Sequence, residues 1–181
     1  LGNGAADAAL QTDLPAGPYT LHLTDAADTG GIVLGEVYDG DPATTSTRLA
    51  ALSVRNQVGL DDDILIVGFV ISQPVAKQVL IRGLGPALEP NLPDTFLADP
   101  QLELFRYDPA TRTSTSVASN DNWGGDAGLS AAFSAVGMGP LAADSADAAL
   151  VVILPPGIYT AHVRGANSTT GVGLVEIYEM P

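Results

Sequence analysis

The sequence predicts an all-β chain, a two-sheet sandwich of jelly-roll-like topology with one short helix. Three observations predict it. Apolar and polar residues alternate in short runs, the period of a strand with one buried face. Gly, Pro, Asn and Asp cluster between those runs at the spacing of packed antiparallel sheets. Only Leu129, Ala132, Phe133 and Val136 recur at the helical period, giving a short amphipathic segment expected to cap the sandwich.

Eleven strands are expected. The first three are 7–13, 18–24 and 31–38, with the turn Leu14-Pro-Ala-Gly-Pro18 between the first two. Pro sets φ in such a turn and Gly supplies a positive-φ residue. Strand 47–55 follows, then 63–72, whose run Ile64–Ile71 lacks alternation and reads as a central strand covered on both faces. Its neighbour 76–83 is expected to form a hairpin with it across Gln73-Pro74-Val75. The later strands are 101–107, 113–119, 147–153, 158–164 and 171–179, with the turn Leu154-Pro-Pro-Gly-Ile158 matching the first.

Residues 6–39 return without a gap at 146–179. Half the aligned positions, 17 of 34, are identical at an offset of 140. Leu14-Pro15-x-Gly17-x-Tyr19-Thr20-x-His22 becomes Leu154-Pro155-x-Gly157-x-Tyr159-Thr160-x-His162, and Leu34-x-Glu36-x-Tyr38 becomes Leu174-x-Glu176-x-Tyr178. Nothing like 41–140 precedes the first copy. The domains expected are therefore a partial module, 1–40, and a full module, 41–181, joined at the linker-like stretch 39–47. Repeats of this kind build arrays and assemblies.

Composition narrows the function. The 181 residues hold 7 Lys and Arg against 21 Asp and Glu, a net charge of −14, which repels nucleic acid and anionic lipid. Hydrophobic residues make up 46% and mean hydropathy is +0.23, enough for a sizeable core. There is no cysteine, which leans towards export. The longest apolar run is far too short to cross a membrane. The chain opens on Leu1 with no signal-peptide pattern, so a processed chain or a fragment is expected.

The ordered motifs Leu52-Ser-Val-Arg-Asn-Gln-Val-Gly59, Asp63–Ile71, Val79-Leu-Ile-Arg-Gly-Leu-Gly-Pro86, Leu97-Ala-Asp-Pro-Gln-Leu-Glu-Leu104 and Ala118-Ser-Asn-Asp-Asn-Trp123 carry a resemblance. With the closing segment Leu154–Tyr178, the chain resembles a tandem β-sandwich repeat of bacterial exported and surface proteins. The stretch Leu102–Tyr178, with its acidic turn and Pro-Gly-x-Tyr hairpin, is also similar to the bacterial pre-peptidase C-terminal domain. Both resemblances imply an extracellular accessory or structural role without catalysis.

Asn120-Asp-Asn-Trp-Gly-Gly-Asp126 is the candidate site. Asn120, Asp121, Asn122 and Asp126 offer oxygens suited to calcium, the one cofactor expected, and an Asx-rich turn anchored by Trp123 is the competing reading. Asp61-Asp62-Asp63 reads as a solvated loop. His22 and His162 are repeat-related structural residues, because no nucleophile or motif stands ready to use them. Asn167-Ser168-Thr169 matches a glycosylation sequon but reads as a turn. Tyr19, Tyr38, Tyr159 and Tyr178 are expected to pack along the strands rather than form a sugar platform. Arg55, Arg82, Arg106 and Arg164 are expected to pair with carboxylates.

No catalytic residue is expected. The function expected is that of a structural subunit in an extracellular bacterial assembly, such as a filament, stalk or surface layer. Self-association with copies of the chain through paired strands would build it. The alternative is a calcium-dependent or carbohydrate-binding accessory module of a secreted enzyme or adhesin.

Overall fold

Alternation becomes register in residues 50–181. The strands are β1 (Ala51–Val58), β2 (Leu65–Ile71), β3 (Lys77–Leu84), β4 (Pro100–Asp108), β5 (Thr113–Asn120), β6 (Ala148–Leu154), β7 (Gly157–Gly165) and β8 (Gly171–Glu179), with α1 (Ala127–Ala135) between β5 and β6. The computed structural model describes residues 7–27, 29–40, 48–72 and 74–181. The chain divides into two units, Leu1–Leu49 and Ala50–Pro181.

The second unit is an all-β, two-sheet sandwich. One sheet has the order β1-β8-β3-β6 and the other β2-β7-β4-β5, with every named ladder antiparallel. Side chains alternate across each sheet, so Val58, Val79, Ile81 and Val175 meet Leu65, Leu104, Tyr159 and Val163 between the layers. Each such side chain, fully buried, contributes about 1.5–3 kcal/mol.

Two expectations fail, for one reason. β2 and β3 do not form a hairpin, because they belong to different sheets: β2 pairs with β7, and β3 pairs with β6 and β8. Nor is β2 central. It lies at a sheet edge, and its outward Ile66 and Val70 are 50% and 62% exposed. The strand covered on both faces is β3, whose Leu80 and Arg82 face away from the sandwich and are buried. The cover is α1. Its Phe133 packs with Leu80, Ala149 and Trp123, so the helix closes the outer face of the first sheet. The unbroken apolar run Ile64–Ile71 thus belongs to an edge strand with an exposed outer face.

The matched turns hold in one respect. Tyr19 Oη donates to the Pro15 carbonyl at 2.7 Å, and Tyr159 Oη donates to the Pro155 carbonyl at 2.7 Å. Gly157, however, does not sit at positive φ. A Cβ there would lie 3.2 Å from Arg106 Nε and 3.3 Å from the Tyr159 ring, so close packing explains it. Gly171 needs glycine on both counts, with φ +156 and the Phe96 carbonyl 2.5 Å from a Cβ.

Among the described residues of 7–40 no strand forms, and all are exposed. The three strands expected there differ from their repeats for a topological reason. Their counterparts β6, β7 and β8 never pair with one another; they pair with β1, β2, β3 and β4. A strand without a partner has no ladder to join. The junction stretch 41–47 lies outside the described residues.

Candidate functional site

The segment Asn120–Asp126 ties three elements together. At the end of β5, the Asn120 side-chain oxygen accepts from Ala149 N of β6 at 3.0 Å, and its amide donates to the Asn122 carbonyl at 3.1 Å. Trp123 N donates to the Asp147 carbonyl at 2.9 Å, and the indole N–H donates to Ala142 O at 2.9 Å. Asp126 caps α1 by accepting from Leu129 N at 2.9 Å. Gly124 and Gly125, at φ +66 and +68, make the turn that aims Asp126 at the helix.

Two of the four residues expected around calcium therefore have an oxygen committed to a backbone amide. Asp121 is different, because its charge reaches Asp99. Burial first, and the Asp121 charge second, push the Asp99 carboxyl above its ordinary value. Asp99 Oδ1 is buried without a hydrogen-bond partner. Among the described residues no three His, Asp or Glu side chains are grouped as metal ligands.

The buried carboxylate is Asp147, 1% exposed. It accepts from Gly85 N at 2.7 Å, from Ala87 N at 3.1 Å and from the Ser145 hydroxyl. That pins the turn after β3 to the start of β6. A second buried group joins β3 to β8. Arg82 Nε donates to Glu176 Oε2 at 2.8 Å, and Nη2 donates to the same oxygen. The guanidinium lies 5.2 Å from the centre of the Phe133 ring on α1. Glu176 Oε1 accepts from Tyr178 Oη at 2.9 Å, and burial first, then the Glu176 charge, push that phenol up.

The sequence named Arg82 as a partner for carboxylates but missed Asp147 and Glu176. Their signal was present in the repeat, since Asp7 and Glu36 stand at the same places. The first copy even keeps part of the geometry. Tyr38 Oη donates to Glu36 Oε1 at 2.8 Å, as Tyr178 does to Glu176. Gly31, at φ +152, matches Gly171. One loop differs. Asp25 accepts from the Thr29 hydroxyl and from the amides of Ala27 and Thr29, which lower its pKa to about 2.

The other expected residues sit as side chains of a scaffold. His162 lies on the outer face of the second sheet, 4.6 Å from the Phe105 ring, where burial first and then the Arg164 charge lower its pKa against the pull of Glu103. Tyr159 is buried and stacks on Phe69 at 5.5 Å. Arg164 approaches Glu103 at 3.6 Å, and Arg106 Nη2 donates to Pro156 O at 3.2 Å. Asp61–Asp63 are exposed in the turn after β1. Asn167 and Ser168 are exposed in the turn before β8. A hollow of about 590 Å³ runs beside α1 between Leu129, Ala132, Val151 and Met180.

No family model matches the chain, and no curated protein matches it. Among solved structures it is similar to the pre-peptidase C-terminal domain of a collagenase from Bacillus anthracis. The TM-score is 0.40 and the identity 13%, with 72% of this chain and 89% of that one covered. Among the described residues no helix is long and apolar enough to cross a membrane.

Two predictions follow from the buried carboxylates. Glu176→Gln should cost about 3 kcal/mol, because it leaves the Arg82 charge buried and unpaired. Asp147→Asn should cost about 2 kcal/mol, from weakened acceptance of the Gly85 and Ala87 amides. The matching changes Glu36→Gln and Asp7→Asn should stay within about 0.5 kcal/mol in the isolated chain. Urea denaturation of the four variants measures this, and equal losses in both sets would contradict it.

Asp99→Asn should raise stability at pH 7 in chelator. The folded-state pKa lies above the unfolded value, so the folded chain takes up the proton more readily and the carboxylate penalty is present at neutral pH. The gain should shrink as pH falls through the folded pKa and vanish below 3.8, where both states are protonated. Melting temperatures from pH 7 to 3 check the sign.

Proposed function

We propose that this protein is a structural module of an extracellular bacterial assembly, built by pairing strands between modules. One observation carries the reading. Residues 6–39 repeat the third of the module whose strands enter almost every ladder, yet the described residues of that first copy form none. Asp7 and Glu36 keep carboxylates whose counterparts bind β3 and the turn after it. Strands with an apolar face and no partner recruit one. The net charge of −14 and the lack of cysteine suit such material outside the cell. The partner is either another copy of the chain or a module of different sequence.

Hydrogen exchange tests the reading on assemblies taken from the native source. Amides of 18–24 and 31–38 should exchange slowly there and fast in the isolated chain. Fast exchange in both would remove strand donation from the account.

Calcium is the second reading, favoured by the unpartnered Asp99 Oδ1 beside Asp121. A cation there would relieve the repulsion between the two carboxylates and stabilise the fold by mass action. The melting temperature should then rise from chelator to millimolar calcium, and Asp121→Ala should abolish the rise. An unchanged melting temperature leaves Asn120–Asp126 as a turn alone.

A further inference from the structure

The repeat is uneven in an ordered way. Identity is kept at turns and buried polar positions: Asp7, Pro15, Gly17, Tyr19, Gly31, Glu36 and Tyr38 all recur. Change also reaches the inward face, although Ala148, Leu154 and Tyr159 there keep the residues of Ala8, Leu14 and Tyr19. Ala161, Val163, Gly173, Val175 and Ile177 correspond to Leu21, Leu23, Val33, Gly35 and Val37.

Those inward positions are full in the module. Ala161 and Val163 are wholly buried, with Ala161 opposite Val67 and Leu104 in register. Val163 Cγ2 already lies 3.0 Å from where a Cβ on Gly83 would stand, so a leucine in its place crowds β3. A Cβ on Gly173 would lie 3.0 Å from Val58 Cγ2 and 3.7 Å from Leu97 Cδ2, and both of those residues are wholly buried. A valine there cannot be seated without moving them. Val175 is wholly buried, and a glycine in its place leaves a void.

Within the first unit the same changes fit one another. Leu23 Cδ1 occupies the space that a Cβ on Gly35 would take. The enlarged side chain of one expected strand thus fills the place vacated in the next. The inward residues of 6–39 differ from those of 146–179 at five positions.

We infer that the partner of residues 6–39 is a two-sheet module of the same strand order but a different core, and that the module of a second copy of this chain is refused. The partner carries an arginine against Glu36 and free backbone amides against Asp7. It leaves space opposite Val33 where Val58 and Leu97 stand here. The polar and turn residues set register, and the inward residues set which module is accepted. In a second copy, moreover, Arg82 and the Gly85 and Ala87 amides are already held by its own Glu176 and Asp147.

The inference rests on the reading of 6–39 as donated strands, and its test uses variants of the purified full chain, for which that reading alone predicts no gain of protection. The chain is compared with a variant carrying Leu21→Ala, Leu23→Val, Val33→Gly, Gly35→Val and Val37→Ile, which gives 6–39 the module's residues at these five positions and leaves 50–181 untouched. Hydrogen exchange by mass spectrometry is read on 6–39 and 146–179 together. In the native chain 146–179 should be protected and 6–39 bare. In the variant 6–39 should slow by about tenfold or more while 146–179 loses protection, whether exchange occurs within a chain or between chains. Adding Glu36→Gln to the variant should reverse the gain. Two results would overturn the inference: protection of 6–39 in the native chain at high concentration, or a variant whose 6–39 exchanges as fast as before.

Discussion

The sandwich hangs on its last third. Of the six ladders in residues 50–181, β1–β8, β2–β7, β3–β6, β3–β8 and β4–β7 all use β6, β7 or β8, and only β4–β5 does without them. β8 lies between β1 and β3, and β7 lies between β2 and β4. Before residue 146 the chain holds one hairpin and several strands that await partners. The fold therefore closes through contacts far apart in sequence, an expensive topology in loop entropy and a slow one to complete.

The buried polar groups hold that closing third in place. Asp147 starts it by binding the turn after β3, and Glu176 ends it by binding Arg82 of β3 under the Phe133 ring. Neither is an efficient way to gain stability, since an apolar replacement of similar volume often does as well. What they supply is register: a one-residue slip of β8 would place Glu176 in the core and Ile177 against α1. The helix depends on the same pair, because it seals the first sheet through Phe133 and is itself capped by Asp126 in the turn that leaves β5.

The sequence made the architecture legible where alternation and punctuation agree. The strands from 101 onward lie within a residue of their expected ends, and the helix holds Leu129, Ala132 and Phe133, with Val136 at its C-cap. Pairing was not legible. Ile64–Ile71 reads as a strand covered on both faces, but α1 covers β3 and leaves the outer face of β2 bare. The site was readable at the level of residue type. Asn120 and Asp126 are oxygen donors in a glycine turn, but nothing in their spacing revealed that amides of β6 and α1 already occupy them. Asp147 and Glu176 were legible only by setting the two copies side by side.

A duplicate of the closing third is also a hazard to its own chain. Residues 6–39 leave the ribosome before 50–145, and those residues finish before 146–179 exists. For that interval an unpaired first copy would compete for β1, β2, β3 and β4, with the turns and polar residues it shares with 146–179. An interchangeable core would let it take the place, and the true third would emerge to find its sheets filled. Differences at the inward positions remove that trap while the shared residues remain. In place of Gly173 and Ala161, Val33 would crowd Val58 and Leu97 and Leu21 would crowd Val67 and Leu104, while Gly35 would leave a void, so the wrong third would bind poorly. Divergence at inward positions between neighbouring copies then helps each of them fold.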